Sequence, residues 1–495
     1  MSGWTEGVSL EDLPERVGVR RGEVVEVCVA GASRPVALQD FSKWFNNRAR
    51  GIVGIEIELQ GESERLAPTR MIASNLSFDR ALQKFLERCG ASGQDFEAAG
   101  QIRSFSARQF LLPVSGASVE LFRGSTLVTP HQSGGWDHCT ALVDGIGRWM
   151  LRNLTADGAL PYKYWPSRGA DSPADNAIRR FLASLALARL GEFSGSGEIR
   201  EAARRNLRFN LKRYFRKLGE GRGAIVERTG AKLGAAALAA LAILENPARG
   251  EFTTELEMLA AGVDHLADAK GRFRTFFFPP ERDGDNWNFY SGEALLFWAE
   301  ALRRGAPCAP SLERCAAAFS QCRKRHRRRR NPAFVPWHTQ ACVSLYAQTG
   351  RREFADFAFE MNDWLLPMQQ WEGLDADLRG RFYDPKHREY GPPHAASTGA
   401  YCEGLADALA LAHAVGDTTR IAAYECALKR GFRSLLQLQF RNDSDAFYIA
   451  RKDRVMGALR TEVYDNSVRI DSAAHALAAA LKVLHPVVLG ARVSK

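Results

Sequence analysis

The stretch Leu233-Gly-Ala-Ala-Ala-Leu-Ala-Ala-Leu-Ala-Ile-Leu244 decides the fold. It has no polar residue on any face of a 3.6-residue period, so as a helix it must be buried on all sides. It is far short of the ~20 apolar residues that cross a bilayer, and with no longer apolar run in the chain a transmembrane protein is excluded. Ala473-Ala-His-Ala-Leu-Ala-Ala-Ala-Leu481 has the same character. The neighbouring segment 196–218 is the opposite, amphipathic and basic, with Arg204, Arg205, Arg208, Lys212, Arg213, Arg216 and Lys217. Fully buried helices beside helices with one charged face describe an inner layer wrapped by an outer one.

Working outward, twelve helical patterns follow one another, at 137–154, 172–190, 196–218, 231–245, 252–269, 290–304, 309–323, 336–349, 351–369, 397–415, 417–438 and 467–485. Even-to-odd connections are mostly short and odd-to-even ones long, which makes antiparallel hairpins joined by crossings. Six such hairpins predict a closed (α/α)6 toroid over 131–488 with the even helices inside, and no sheet of more than three strands from 135 onward. Residues 1–130 read as a separate small α+β domain packed on it. Glu23–Ala30, Ile52–Leu59, Phe110–Val114 and Ser118–Phe122 are strand candidates, and Ser77–Arg88 is a capped helix with apolar positions 78, 81, 82, 85 and 86. The segment Leu66-Ala-Pro-Thr-Arg-Met-Ile-Ala-Ser-Asn75 is distinctive, with no chemistry attached beyond a docking or substrate-capping role.

Over about 350 residues this architecture resembles the six-hairpin toroidal superfamily, which contains glycoside hydrolases, unsaturated glucuronyl hydrolases and N-acylglucosamine 2-epimerases. The resemblance rests on architecture alone. It implies activity on sugars, in a funnel where the long loops meet the N-termini of the inner helices.

The chain's 495 residues, 45% hydrophobic and 25% charged, suit a folded globular protein. Met1–Gly7 lacks a basic segment followed by an apolar core, so no secretory signal is expected. The nine cysteines are odd in number and scattered, with Cys308, Cys315 and Cys322 on one helix face as small buried hydrophobes. A reduced cytoplasmic protein without disulfides is the expectation. The net charge of +10 owes much to Arg323-Lys-Arg-His-Arg-Arg-Arg-Arg330, placed as a solvated helix end in the long loop at the funnel mouth, where it would bias the site toward anionic substrates. Without interleaved aromatics or a reader motif it is no nucleic-acid footprint.

Five polar and aromatic clusters precede or begin the inner helices. The first holds Tyr164, Trp165 and Arg168, then Asp175 and Arg179. Ser172-Pro173 serves as the cap, which puts Asp175 in a first helical turn. The second is Asp283-Gly-Asp-Asn-Trp-Asn-Phe-Tyr-Ser-Gly-Glu293, with Asp285, Trp287 and Tyr290. It starts like a calcium loop but lacks the ligand spacing, and Glu293 is either catalytic or one half of an ion pair. The third holds Trp337 and His338, and the fourth His394, Tyr401 and Glu403. The fifth holds Asp465, Arg469, Asp471 and His475, where the four-residue spacing lets Asp471 orient His475.

No phosphate loop, zinc constellation, lanthionine-cyclase Cys-His-Gly step or terpene-cyclase repeat is present, so no metal or cofactor is expected. Aromatics stack on sugar rings and carboxylates hold hydroxyls. The first expectation is therefore a carbohydrate-active enzyme hydrolysing a glycosidic bond by a carboxylate pair, from Asp285, Glu293, Glu403, Asp465 and Asp471 with His475. The alternatives are a sugar isomerase or epimerase using His338, His394 or His475 as acid and base, and a non-catalytic toroid that binds a glycan or peptide. The partner is a small-molecule or oligomeric substrate in each case, with no membrane.

Overall fold

The computed structural model describes residues 24–113, 117–129, 136–228 and 230–485. Met1–Gly7, the expected domain boundary at 130 and the expected end of the toroid at 488 lie outside them.

Among the described residues twelve α-helices follow residue 136: α1 Asp137–Asn153, α2 Ala177–Ser194, α3 Gly197–Tyr214, α4 Leu233–Glu245, α5 Thr253–His265, α6 Trp287–Arg303, α7 Leu312–Arg328, α8 Val335–Thr349, α9 Arg352–Leu365, α10 Ala395–Val415, α11 Thr418–Leu438 and α12 Ile470–Leu484. Each even helix packs on the next, and α12 returns to α2, closing the inner ring. The odd helices pack outside it. Residues Leu233 to Leu244 of α4 are all buried, as their uniform hydrophobicity requires. The short connections have a local cause. Gly195, Gly350 and Gly416 end α2, α8 and α10 in the left-handed conformation that glycine adopts without strain, and Ser196 and Asp417 then cap α3 and α11. The chain reverses within two residues.

Three expectations need correcting. The crossings build two four-stranded sheets, where none above three strands was expected. The first joins β9 Phe215–Gly219, β10 Arg222–Glu227, β11 Gly230–Lys232 and β12 Phe276–Phe278. The second joins β7 Lys163–Trp165, β8 Ala170–Asp171, β13 Arg460–Glu462 and β14 Asp465–Arg469. Their strands run only two to six residues and pair across distant crossings, so no alternating run betrays them. The end of the expected helix 196–218 is strand β9 instead. The basic run is a helix end, as expected, but only Arg329 and Arg330 extend into the connection. Its other residues form the last turns of α7, and Arg323 pairs with Glu353 at 3.6 Å, Arg327 with Glu360 at 2.5 Å and Arg330 with Glu360 at 3.6 Å. His326, within it, is buried against Phe334.

Within 24–113 and 117–121 the strands form an antiparallel six-stranded sheet with order β1-β5-β3-β4, and β2 and β6 pair with β5. The strands are β1 Val24–Ala30, β2 Arg34–Pro35, β3 Val53–Leu59, β4 Glu62–Leu66, β5 Gln101–Pro113 and β6 Val119–Leu121. Helix Phe78–Cys89 is capped by the Ser77 side chain and buries Phe78 and Phe85 against Ile55, Ile57 and Ile102 in a core of its own. Polar bonds join this region to the helices: the buried Arg123 donates to Asp377 at 2.8 Å and to Asp375 at 2.6 Å, and Thr126 N–H donates to Asp445 at 2.9 Å. All nine cysteines are free thiols. Among the described residues no helix is long and apolar enough to cross a membrane.

Candidate active site

Because one outer helix separates successive inner helices, all six inner N-termini emerge at one end of the toroid. A cavity of about 310 Å³ opens there, and each of the five clusters contributes to its wall: Arg179; Tyr290 and Glu293; Trp337; His394 and Tyr401; and Arg469, Asp471 and His475. The long crossing 366–394 adds Phe382, Tyr383 and Tyr390, and α6 adds Phe289.

The other sequence candidates lie elsewhere. Asn176, not Ser172, caps α2, so Asp175 precedes the helix. It ties α2 to α3 through Arg180 at 2.5 Å, Arg213 at 3.1 Å and the Tyr214 hydroxyl. Asp285 is exposed and paired with Arg282 at 3.1 Å. Tyr164 is buried under the Arg454 guanidinium, and Trp165 stacks with Lys163 and Arg168. Trp287 stacks on Phe334 beneath Arg325. His338 is fully buried, its Nδ1–H donating to the Phe334 carbonyl at 2.8 Å, and burial pushes its pKa down to about 3. It is a neutral packing residue. Asp465 accepts from Asn75 Nδ2 at 3.0 Å.

Glu403 lies just under the cavity and overturns the expected Asp471–His475 pairing. His475 Nδ1 is 2.9 Å from Glu403 Oε2, on the neighbouring inner helix. Asp471 is taken by two arginines, Arg469 (3.1 Å to Oδ1 and 2.5 Å to Oδ2) and Arg179 (3.0 Å to Oδ2), and its Oδ1 also accepts from Ser472 N–H. Both carboxylate oxygens are occupied, and the guanidiniums outweigh burial to hold its pKa below the usual carboxylate range.

Beneath His475 lies a charge network that sequence reading missed. Arg189 donates to Glu403 Oε1 at 2.9 Å and to Glu245 at 2.9 Å. Lys482 sits 3.7 Å from Glu403 and donates to Asp407 at 2.6 Å and Gln340 at 2.7 Å. Burial alone would raise the Glu403 pKa, but Lys482, His475 and Arg189 hold it at about 2. An ionised Glu403 keeps the His475 proton on Nδ1 and leaves Nε2 as the basic nitrogen for the cavity. The signal was present in the sequence: Arg189 and Lys482 each sit within an apolar run of an inner helix, as Glu293 does.

Two other groups are neutral hydrogen donors. His394 is the N-cap of α10, and its Nδ1 accepts from Ser397 N–H at 3.0 Å, which places its proton on Nε2. Burial, then Arg469, depress its pKa to about 4. Glu293 is 2% exposed, and its Oε2 has no hydrogen-bond partner among the described residues. Burial raises its pKa to about 8, so it is a carboxylic acid at neutral pH.

The 66–75 segment supports this site from behind. Asn75 holds the left-handed conformation at φ 49°. It donates to Asp465 and accepts from Arg50 Nη2 at 3.3 Å, while Asn466 Nδ2 donates to the Ile72 carbonyl at 2.9 Å. These bonds pin the start of β14, whose far end carries Arg469. Asn75→Ala is expected to destabilise the protein by ~1–3 kcal/mol in urea unfolding, and to speed amide hydrogen exchange over 465–469. Unchanged exchange there would refute the support role.

No protein-family model and no curated protein sequence matches this chain. Among solved structures, D-mannose isomerase matches with a TM-score of 0.53 at 11% identity, covering 72% of this chain and 99% of that one. A structure described as UGL with dGlcA-Glc-Rha-Glc matches with a TM-score of 0.50 at 13% identity, covering 71% and 98%. An unsaturated glucuronyl hydrolase specific for heparin matches with a TM-score of 0.48 at 13% identity, covering 70% and 95%. The first two establish the fold. Like them, the chain is an (α/α)6 toroid, as its helix pattern indicated.

Proposed function

We propose that the toroid is a carbohydrate-active enzyme that moves a proton at the carbon beside a sugar carbonyl, isomerising or epimerising a monosaccharide. The observation that carries this is the His475–Glu403 pair at the cavity wall: a base whose tautomer is fixed by an ionised carboxylate. His475 Nε2 takes the proton from the carbon next to the carbonyl. The neutral Glu293 and His394 donate hydrogen bonds to the oxygen on which negative charge collects. In isomerisation His475 gives its proton to the adjacent carbon, while one of these donors protonates that oxygen and takes up the proton leaving the neighbouring hydroxyl. In epimerisation a donor on the other face protonates the same carbon, while His475 keeps the proton it took. The cavity is at the small end of the ~300–1,000 Å³ of small-molecule sites, which suits one or two sugar rings. A D-mannose isomerase uses the same fold.

Glycosidic hydrolysis, the first expectation from sequence, retains one specific support. The two inner-helix carboxyl groups at the cavity, Glu293 and Asp471, have pKa values pushed in opposite directions, which is how acid and base carboxyls are divided. Against it, Asp471 has both oxygens held by guanidiniums and is a poor base or nucleophile.

The test is incubation with a panel of aldoses, ketoses and aryl glycosides in D2O, followed by NMR. Deuterium entering C2 without glycoside cleavage is the expected result. Cleavage without exchange would replace the isomerase reading with the hydrolase one, and binding without either would leave a non-catalytic toroid.

A further inference from the structure

One corner of the cavity carries more positive charge than the protein neutralises. Strand β14 pairs antiparallel with β7 so that Arg469 lies directly opposite Lys163. Opposed residues share a face of the sheet, and like charges there repel. Arg179 of α2 adds a third cation, converging with Arg469 on Asp471. The other carboxylate that acts on both Lys163 and Arg469 is Asp465. That group already accepts from Asn75 and also faces Arg50. Four cations thus share two carboxylates. Of the other acidic groups on the cavity wall, Glu293 is neutral, and Asp384 lies on the far crossing beside Tyr390.

The corner is also open. Arg179 and Arg469 line the cavity, and a third of the Arg179 side chain is exposed. Its Nε goes to Asp471 and its Nη1 to the Tyr162 hydroxyl, while Nη2 makes no hydrogen bond among the described residues. Lys163 does not itself line the cavity: it is half-buried with its Nζ over the Trp165 ring at 5.4 Å, and burial together with Arg469 and Arg179 disfavours its charged form. A cross-strand cation pair costs stability unless an anion sits between them, and a guanidinium edge with an adjacent ammonium matches a carboxylate or phosphate group.

We propose that Arg179 and Arg469 form a subsite for an anionic substituent, its positive potential reinforced by Lys163 across the strand from Arg469, so that the substrate of the proposed reaction is a sugar acid or sugar phosphate and not a neutral sugar. This rests on the cavity being a sugar site, and it replaces the basic run 323–330 as the source of anion preference, since Glu353 and Glu360 engage that run.

The experiment is isothermal titration of the full chain with glucose, glucuronate and glucose 6-phosphate, and with their mannose counterparts, at low and at physiological salt. At least one anionic sugar is expected to bind about tenfold or more tighter than its neutral parent, with the gap narrowing as salt rises. The stronger of the two anions identifies carboxylate or phosphate as the group recognised. Lys163→Met should narrow the gap and leave neutral-sugar affinity unchanged, and Lys163→Arg should restore it. Equal or tighter binding of the neutral parents to the wild-type protein overturns the proposal, as does a Lys163→Met variant that weakens both kinds of sugar alike. Binding is read without turnover. A failure of C2 exchange would therefore sink the isomerase reading alone, and an absent anion preference would sink only this one.

Discussion

Replacing His475 with alanine is expected to slow sugar conversion by ~10²–10⁴ while leaving the thermal transition nearly unmoved, because His475 is held by one hydrogen bond at a cavity wall. Glu403→Gln should produce the same loss of rate together with a large loss of stability. Glu403 is fully buried and answers part of the charge of both Arg189 and Lys482. Removing one member of a buried ionic network typically costs ~3–5 kcal/mol. The pH dependence has a definite sign. The folded carboxyl ionises at about 2, below its unfolded value of about 4.5, so its stabilisation is complete above pH 4.5 and is lost as pH falls toward 2. Chemical denaturation of wild type and variant should show a gap that is constant near neutrality and closes across that acid window. A His475→Ala enzyme with full activity would end the proton-transfer reading, whatever Glu403→Gln does.

The inner ring was legible because burial on all sides leaves a compositional mark: α4 has no polar face from Leu233 to Leu244, and α12 is mostly apolar outside the stripe that carries Asp471, His475 and Lys482. The site was legible in outline because inner-helix N-termini must share one end, so five clusters spread over some three hundred residues met as expected. What failed was the choice of partner. Asp471 and His475 are neighbours on one helix, but Arg469, two residues before Asp471 at the end of β14, and Arg179, on another inner helix, compete for that carboxylate. The true partner of His475, Glu403, lies on a different helix, and no spacing rule can find it. Ser172-Pro173 was a plausible cap that lost to Asn176, because β8 at Ala170–Asp171 keeps the chain extended. His338 was visible as a polar residue on an inner helix, but only the structure reveals the Phe334 carbonyl and ring that satisfy it. The Asn75 segment carried a signal without an object, since Asp465, its target, is 390 residues away.

Glu293 gives the second large effect, and its sign is opposite to that of Glu403. The folded group ionises at about 8, above the ordinary 4.5, with burial as the cause. A Cβ on Gly234 would overlap its Oε2 and the Tyr290 ring, so α4 closes over that oxygen, and burial, with no counter-charge among the described residues, sets the pKa. Between pH 4.5 and 8 the folded state binds this proton and the unfolded chain does not. Stability is therefore lost as pH rises through that range and levels off above it. Glu293→Gln abolishes the titration. The variant should match or trail wild type near pH 5, where the acid is neutral in both states. It should gain on wild type as pH rises, by on the order of a few kcal/mol at pH 9. In catalysis the wild-type rate should fall along an alkaline limb near pH 8, as the donor to the sugar oxygen becomes a carboxylate facing the developing charge. Glu293→Gln retains an N–H donor and should lose that limb, whereas Glu293→Leu should lose ~10²–10³ in rate at every pH. Parallel stability-versus-pH curves for wild type and Glu293→Gln would show that the carboxyl is not held neutral, and with that its role as the donor to the sugar oxygen would fall.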